Sequence, residues 1–343
     1  MRELNVLRLS KLQVFVGALA ALLAAAPVGR AEVRRKIRLA VGSKPGNIVY
    51  LQIDLARALG YFTAEGLDMD FVYFDGGTHA ARALASGSAD FSGNSVDHAI
   101  TLRSKGKDLR MIASFTNLPA VTLVVSRDLR PQIRSLRDLK GRRIGVTATG
   151  SGTHILLASI LKKGGLSLAD ISVFPVGSGD SLISALKHKQ VQAAMATDPT
   201  TTAVLMSGDA SLLLDMVTLE ETQRVFNGEY QFTGLLARPD VIAAQPRLVQ
   251  CIVNVIVRTN RFIATHSAAD IAARLPAKIV SDRYIYVKAL EHSRPAFSKD
   301  GMVTLSGVSN NIQSQFTFGS IPSITFEPAT LFDMQFVQNA LRR

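Results

Sequence analysis

Four short polar segments of this sequence have the residue types that bind small anions. They lie at residues 43–47, 76–79, 94–95 and 150–153, each between a β-like run and a helical pattern. The free N–H groups and the dipole at a helix N-terminus favour anions, and glycine allows a ligand to approach the backbone closely. Turns in any α/β protein use Gly, Ser, Thr and Asn, so one such segment alone is weak evidence for a ligand.

The predicted ligand-binding residues come from these segments and from one strand end further along the chain. Lys44 could neutralise an anion or simply be solvated, and His79 could hydrogen-bond a ligand. Asp198 could bind an amine, although capping of a helix that begins at Pro199 is the favoured interpretation. The predicted ligand-binding set is Lys44, Asn47, Gly77, Thr78, His79, Asn94, Ser95, Gly150, Ser151, Gly152, Thr153 and Asp198.

Motifs for nucleophilic or metal-dependent catalysis are missing from the sequence. It has no G-x-S-x-G elbow, since residues 149–152 read Thr-Gly-Ser-Gly, and it has no H-E-x-x-H motif or Walker loop. The single cysteine, Cys251, excludes an internal disulfide and a multi-cysteine metal site. We therefore expect no enzyme activity, no metal site and no cofactor, while a catalytic site assembled from distant residues stays open.

The elements around the polar segments alternate between short β-like runs and helical patterns. One βα series runs over residues 37–115 and a second over 121–237, and the remaining patterns are helical. This alternation predicts an α/β fold with mostly parallel sheets, in which ligands bind outside the carboxyl ends of the strands. No linker rich in Pro, Gly and Ser divides the two series, so two lobes joined by crossing strands are expected.

The first 31 residues have the layout of a secretory signal peptide. Arg2, Arg8 and Lys11 precede an apolar run over residues 13–26, and Gly29 and Ala31 occupy the −3 and −1 positions of a cleavage site. The alternatives are a membrane anchor and a buried helix. Such a signal peptide would direct export of the protein and be removed by cleavage after Ala31, so a periplasmic location is expected.

The net charge of +12 does not favour a nucleic-acid partner. Removal of residues 1–31 would lower the charge to about +9, and the remaining basic clusters lack the interleaved aromatic residues of a single-strand binder. The sequence also has no Trp. A solvated basic surface is the favoured interpretation, and no binding to nucleic acid is expected.

Several local motifs, taken in order, resemble those of one family of binding proteins. The sequence reads Leu-Gly-Tyr-Phe at 59–62, Ala-Leu-Ala-Ser-Gly-Ser-Ala-Asp-Phe at 83–91 and Asp-Leu-Lys-Gly-Arg-Arg-Ile-Gly-Val at 138–146. With Gly-Ser-Gly-Thr at 150–153 and Asp-Pro at 198–199, the chain resembles periplasmic solute-binding proteins of the nitrate/sulfonate/taurine and thiamine-precursor class. The resemblance extends over nearly the whole chain after residue 31.

The resemblance implies a two-lobed type II periplasmic-binding-protein fold with a ligand cleft between the lobes. Lobe 1 is expected to combine residues 32–118 with 232–343, and lobe 2 to span 119–231. The implied ligand is a small organic molecule, a sulfonate, carboxylate or heteroaromatic, which lobe closure captures. The implied partner is an ABC permease in the inner membrane, and the protein is expected to be a monomer.

Two departures from the family pattern leave the ligand open. Ala194-Met195-Ala196-Thr197 stands where sulfonate-binding members often carry Trp, and Cys251 alone cannot supply the cysteine-rich motif of the related pyrimidine synthases. A ligand-sensing partner of a membrane receptor is the alternative function, and an enzyme on the same fold is a less favoured one.

Overall fold

Ten strands form two separate five-stranded sheets in the computed structural model, which describes residues 36–317 and 319–342. The strands are β1 Ile37–Val41, β2 Met69–Tyr73, β3 Phe91–Ser95, β4 Arg110–Ser114, β5 Val121–Ser126, β6 Arg143–Val146, β7 Ser172–Pro175, β8 Ala193–Thr197, β9 Ala210–Asp215 and β10 Thr233–Ala237. The first sheet has the order β2-β1-β3-β10-β4 and the second the order β7-β6-β8-β5-β9.

Each sheet contains one strand that runs against its neighbours. In the first sheet β10 pairs antiparallel with β3 and β4, and in the second sheet β5 pairs antiparallel with β8 and β9. The other pairings, β1 with β2 and β3, and β6 with β7 and β8, are parallel. The two-lobed α/β fold predicted from the sequence is confirmed, with sheets that are mixed rather than purely parallel.

Helices connect the strands and supply the C-terminal part of the chain. They are α1 Leu51–Ala58, α2 Tyr61–Ala64, α3 Gly77–Ala85, α4 Val96–Arg103, α5 Gly152–Lys163, α6 Asp180–Lys187, α7 Thr200–Met206, α8 Leu219–Phe226, α9 Pro239–Ala244, α10 Pro246–Thr265, α11 Ala268–Arg274, α12 Arg283–Ser293, α13 Leu305–Thr317 and α14 Gln335–Leu341. The 3-10 turns are Ile48–Tyr50, Arg127–Leu129, Leu136–Leu139, Leu168–Asp170, Arg294–Ala296 and Pro328–Leu331.

Local capping explains where several of these helices begin. Ser151 and Thr218 accept hydrogen bonds from the backbone N–H groups of His154 and Glu221, three residues further on. The sequence reading missed α8, although Thr218 followed by Glu221 is a capping-box pattern that could have indicated it. Asn94 and Ser95 are the last two residues of β3, and Ser95 is also the N-cap residue of α4.

Each lobe buries its own apolar core. The core of the first lobe lies between its sheet and helices such as α1 and α10, with Leu39, Ile53, Phe91 and Ile256 fully buried. The core of the second lobe includes Val121, Ile144, Leu157 and Met195, also fully buried. Since burial of apolar area is the main stabilising contribution in folding, each lobe is stabilised mainly from within.

The chain crosses between the sheets twice, after Ser114 and again before Thr233. The two connections are hydrogen-bonded to each other, because Phe115 N donates to Thr233 O over 2.9 Å and Gln231 Nε2 donates to Thr116 O over 2.9 Å. The predicted lobe boundaries after residues 118 and 231 fall within these connections, and their exact positions stay predictions.

The predicted signal peptide, residues 1–31 with cleavage after Ala31, lies outside the described residues. Within residues 36–317 and 319–342, every helix is too short or too polar to cross a bilayer.

Candidate functional site

Loops from both lobes surround a small cavity of about 30 Å³. The loops of the first lobe follow β1, β2 and β3, and those of the second lobe follow β6 and β8. The cavity therefore lies at the carboxyl ends of strands from two sheets, where open α/β folds bind ligands. Its lining residues are Gly42, Ser43, Asn47, Val49, Tyr50, Gly77, Ser95, Thr147, Ser151, Gly152, Thr153, Thr197 and Phe232.

Three hydroxyl groups of the second lobe form a connected cluster on one wall of this cavity. Thr147 Oγ1 donates to Ser151 Oγ over 2.9 Å, and Ser151 Oγ lies 2.9 Å from Thr153 Oγ1. Thr153 Oγ1 also accepts from the backbone N–H of Thr147 over 3.0 Å. The cluster stands at the start of α5, whose N-terminal dipole favours a negative group there.

Asn47 joins the two lobes through its side-chain amide. Its Nδ2 donates to Ser43 Oγ over 2.9 Å within the first lobe and to Thr197 Oγ1 over 3.0 Å in the second lobe. Its Oδ1 accepts from the backbone N–H of Val49, which caps the Ile48–Tyr50 turn. The same side chain thus shapes the loop after β1 and contacts the end of β8.

Asn94 and His98 support the cavity from behind Gly77. Asn94 Nδ2 donates to Gly77 O over 2.8 Å. A Cβ atom on Gly77 would lie 2.4 Å from His98 Nε2 and 2.5 Å from Asn94 Oδ1, so only glycine fits at the start of α3. Burial lowers the pKa of His98 to about 4, and its ring is neutral at pH 7. Asn94 therefore positions the lining without belonging to it.

Among the residues that the structure describes, no charged side chain lines the small cavity. Tyr50 and Phe232 supply aromatic walls, and burial raises the pKa of Tyr50, so its hydroxyl stays protonated at neutral pH. The polar atoms of the lining belong to hydroxyl groups, to one side-chain amide and to the backbone. Such a lining can bind a small polar or anionic group through several N–H and O–H donors.

A larger chamber of about 410 Å³ also borders Asn47 and lies between the lobes. Lys44 is at its margin, more than half exposed and 3.6 Å from Asp75 Oδ1, so its charge is already paired. Tyr286 lines the chamber, and its hydroxyl is buried without a hydrogen-bond partner. The chamber is lined by residues 44–47, 178–181, 183, 199–200, 203, 279, 281–282 and 285–286. It has room for the body of a drug-sized molecule.

Several predicted residues lie beside the small cavity rather than on its wall. Thr78 Oγ1 donates to Thr149 O of the other lobe over 3.2 Å, and the exposed His79 ring stacks on Phe74 at 6.5 Å. Gly150, with a positive φ of 74°, donates its N–H to His154 Nδ1 over 2.8 Å. These contacts give each of the three a local role, and ligand contact by them stays a prediction.

Asp198 was interpreted as a helix cap, and its carboxylate accepts hydrogen bonds from the first turn of α7. Asp198 Oδ1 accepts from the backbone N–H of Thr202 over 3.0 Å and from its hydroxyl over 2.7 Å. Its Oδ2 faces His292 at the C-terminal end of α12. The ring of His292 bridges Asp198 and Asp215.

The predicted ligand-binding set did not include several residues that line the small cavity. Thr147 and Thr197 stand at the ends of β6 and β8, a position that could have suggested them. Tyr50 had no such signal, because it lies inside a helical pattern and reaches the cavity only through the packing of the lobes. Phe232 lines the cavity and also belongs to the apolar core of the second lobe.

Metal binding has no support in the part of the chain that the structure describes. No group of three or more His, Cys, Asp or Glu side chains is arranged there to hold a metal ion. Cys251 lies on α10, half-buried against the core of the first lobe. It does not line the small cavity or the larger chamber.

Two solved structures resemble this one over most of their length. A protein from Bordetella bronchiseptica RB50 superposes with a TM-score of 0.85 at 32% identity, covering 90% of this chain and 97% of that one. The alkanesulfonate-binding protein SsuA from Xanthomonas axonopodis pv. citri, bound to MOPS, superposes with a TM-score of 0.70 at 21% identity, covering 87% and 98%. The second match shows the fold, that of the periplasmic binding proteins.

Sequence relatives include a binding protein and an enzyme. A candidate binding protein of Brucella abortus (strain 2308) is 28% identical over 222 residues, which is 64% of this chain and 66% of that protein, just under two thirds of its length. The 4-amino-5-hydroxymethyl-2-methylpyrimidine phosphate synthase of Schizosaccharomyces pombe is 26% identical over 128 residues, 37% of this chain and 36% of the synthase.

A family model extends the likeness beyond single relatives. The model for NMT1/THI5-like proteins matches residues 47–269, which include Asn47, every predicted site residue after it and both crossings between the lobes. The match covers more than half of the chain. By this match the chain belongs to the NMT1/THI5-like family.

Proposed function

We propose that the protein is an exported solute-binding protein that holds a small organic molecule between its lobes and delivers it to an ABC-type importer in the inner membrane. The observation that carries this proposal is the hydroxyl-rich cavity, to which both lobes contribute loops at strand ends. A molecule bound there contacts both lobes at once. It therefore stabilises the closed arrangement by its differential affinity for that state.

The lining favours a ligand with a small anionic or strongly polar end, such as a sulfonate or carboxylate. The Thr147–Ser151–Thr153 cluster presents hydroxyls at the start of α5, and no carboxylate among the described residues lines the small cavity to repel an anion. The adjoining chamber, with Ile183, Ile279 and Ile285 on its wall, suits a less polar body. The MOPS bound to the Xanthomonas neighbour has this division into a sulfonate and a ring.

Lobe closure as the mechanism is supported by the chemistry of the contacts between the lobes. Those contacts include hydrogen bonds from Ile48 N to Asp198 O over 3.0 Å, from Asn47 Nδ2 to Thr197 Oγ1, and from Ser314 Oγ to Ser159 Oγ over 2.9 Å. Water can replace polar contacts at low net cost, whereas exposure of the separate apolar cores would be costly. The lobes can therefore part without unfolding.

The importer partner is proposed from the resemblance of the sequence motifs to periplasmic solute-binding proteins and from the fold shared with the Xanthomonas alkanesulfonate-binding protein. A ligand-sensing role beside a membrane receptor would use the same cleft and the same closure. Identification of the protein captured by the ligand-loaded chain in membrane extracts would separate a permease from a receptor.

An enzyme is the second candidate, because one relative is named as a pyrimidine phosphate synthase. The only cysteine lies on α10 and lines neither cavity, so the cysteine-rich motif of the related pyrimidine synthases has no counterpart in this cleft. Incubation with an aminopyrimidine and analysis of the products by mass spectrometry tests this candidate. A binder returns the compound unchanged.

The test of binding is a thermal-shift and calorimetric screen with taurine, MOPS, nitrate and an aminopyrimidine. A compound at 100 times its Kd should add about 2.7 kcal/mol to the stability of the folded state. For the compound that binds, Tyr50→Phe removes one hydroxyl from the lining and should weaken affinity about tenfold or less. Tyr284→Phe, at an exposed position on α12, is the matched control and should leave the Kd unchanged.

Two outcomes would count against the proposal. The first is that none of the four compounds shifts the melting temperature or gives heat on titration. The second is that one of them binds with the same Kd in the wild type, Tyr50→Phe and Ser151→Ala, which would place the ligand outside this cavity.

A further inference from the structure

Helix α12 belongs to the first lobe by its apolar packing. Tyr286, Ala289 and Leu290 on this helix are buried together with Ile48 and Leu51 in one apolar cluster. The last two residues of the same helix, His292 and Ser293, reach across to the second lobe. The helix therefore has an apolar side fixed in one lobe and a polar end that contacts the other.

His292 bridges two carboxylates of the second lobe. Its Nδ1 lies 2.6 Å from Asp198 Oδ2, after the end of β8, and its Nε2 lies 2.9 Å from Asp215 Oδ2, at the end of β9. Ser293 Oγ adds a hydrogen bond to Asp198 Oδ2 over 2.8 Å. Both ring nitrogens face an acceptor, so the doubly protonated imidazolium is the form that satisfies both contacts.

The surroundings of the ring favour the charged form. The hydrogen bond to Asp198 and then that to Asp215 raise the pKa of His292 to about 10, although partial burial opposes them, so the ring carries a charge at pH 7. The Asp198 side chain is only 1% exposed. A carboxylate buried to that degree is costly to ionise without an opposite charge.

Other charges near the bridge are already engaged. On α12, Lys288 pairs with Glu291 at 2.8 Å, and both are about half exposed. Arg294 donates to the backbone carbonyls of Ile263 and His266. Helix α7, which packs against α12, has no charged residue over Thr200–Met206. His292 is thus the cation in contact with Asp198 and Asp215 among the described residues.

We propose that His292, Asp198 and Asp215 form an ionic clasp that holds the two lobes closed and so raises ligand affinity without touching the ligand. This inference rests on the proposed function for its effect on affinity, and on the structure alone for its effect on closure. None of the three residues lines the small cavity or the chamber. His292 is therefore a positioning residue that acts through the Asp198 end of β8 and the lobe contact beside it.

The contacts on Asp198 explain why opening should be coupled to this clasp. Within its own lobe Asp198 keeps two hydrogen bonds from Thr202, and its remaining carboxylate contacts come from α12. Its backbone carbonyl accepts from Ile48 N of the first lobe. Separation of the lobes removes all of the contacts that Asp198 makes with the first lobe. The charged contact among these is the one to His292, which belongs to the clasp.

The test measures closure directly, with no ligand added. Small-angle X-ray scattering and amide hydrogen exchange are compared for the wild type, His292→Gln, His292→Arg and Lys288→Gln. We expect His292→Gln to increase the radius of gyration and to speed exchange at Ile48 N at least tenfold, with little change at β-sheet amides. Arginine can donate to two carboxylates, so His292→Arg should restore both values. Lys288→Gln breaks an exposed pair on the same helix and should match the wild type.

The proposal is overturned if His292→Gln keeps the wild-type scattering curve and the wild-type exchange at Ile48. If His292→Gln fails to fold, Asp215→Asn replaces it, because this variant retains the contact between His292 and Asp198. We then expect a smaller increase in the radius of gyration and in the exchange rate at Ile48 N. A failure of every compound in the binding screen would leave these ligand-free measurements intact. The clasp and the proposed function are therefore separately testable.

Discussion

At the scale of single residues, hydroxyl groups rather than charges give the small cavity its chemistry. Ser95 shows how this comes about, because it stands before α4 with an extended backbone but makes no side-chain cap bond to that helix. Its hydroxyl contributes to the lining instead, within 2.9 Å of where a Cβ on Gly152 would lie. Neutral donors avoid the cost of burying an unpaired charge when no ligand is bound.

Asp97, two residues beyond Ser95 at the end of β3, gives a pH prediction. Burial raises the pKa of its carboxyl to about 6, opposed first by the hydrogen bond from Tyr230, whose hydroxyl donates to Asp97 Oδ1 over 2.9 Å. Since the pKa is higher in the folded state than in the unfolded chain, the stabilising contribution is complete below about pH 4 and is lost as the pH rises through about 6.

Asp97→Asn should remove this loss while keeping an acceptor for the Tyr230 hydroxyl. Urea unfolding at pH 4 and at pH 8 should show that the wild type loses about 2–3 kcal/mol more stability over this interval than the variant. Parallel pH profiles for the two proteins would contradict the assignment. An exposed carboxylate on the same lobe, changed in Asp68→Asn, is the control and should follow the wild type.

Whether a site residue could be predicted depends on whether its role is set by its neighbours in the sequence or by residues of the other lobe. Ser151, Gly152 and Thr153 could be predicted because a local Gly-Ser-Gly-Thr run precedes a helix. Tyr50 and His292 could not, because each acquires its role from residues of the other lobe, as in the pairing of His292 with Asp198, which lies 94 positions earlier. The periodicity of apolar residues predicts which side chains are buried, but it does not predict which residues of the other lobe will lie next to them.

At the scale of elements, the turns at strand ends are fitted to each other across the cleft. Gly76, between β2 and α3, faces Ala148, between β6 and α5. A Cβ on Gly76 would lie 2.8 Å from the Cβ of Ala148. The backbone of Gly76 is extended, so a side chain there meets only the opposite lobe as an obstacle.

Gly76→Ala should therefore hinder closure without disturbing the first lobe. Overpacking of this kind costs about 1–3 kcal/mol when the structure cannot relax, and parting of the lobes is the available relaxation. We expect a larger radius of gyration by X-ray scattering and a weaker Kd for the compound that binds. The double variant Gly76→Ala/Ala148→Gly moves the methyl group across the cleft and should restore both values. A single variant that scatters like the wild type would show that this contact does not limit closure.

Most elements could be predicted from local pattern, and the misses have local explanations. The strands Ile37–Val41 and Arg143–Val146 are short apolar runs bounded by turn residues, a local pattern from which strands can be predicted. The last strand of the second series begins only at Thr233, since the preceding residues form the crossing between the lobes. The antiparallel direction of β5 and β10 comes from those crossings, which periodicity does not reveal.

At the scale of the whole molecule, each lobe has its own apolar core, and hydrogen bonds such as Asn47 Nδ2 to Thr197 Oγ1 and Ser314 Oγ to Ser159 Oγ join the two lobes. Under the proposed function, this division would allow each lobe to remain folded while the lobes part and close. The net charge of +12 adds little to this picture, because the small cavity has no charged lining residue among those described. Its use is limited to a general attraction for anionic solutes.

Native mass spectrometry tests most directly whether the space between the lobes holds a small molecule. The chain is purified without denaturation, incubated with taurine, MOPS, nitrate and an aminopyrimidine in turn, and compared with Gly152→Val. A side chain at residue 152 would press on Ser95 Oγ and the Phe232 ring, which line the same cavity. We predict one bound molecule per wild-type chain, released on denaturation and absent from Gly152→Val. Detection of the bare polypeptide in every sample, or of the same adduct in both proteins, would contradict binding at this site.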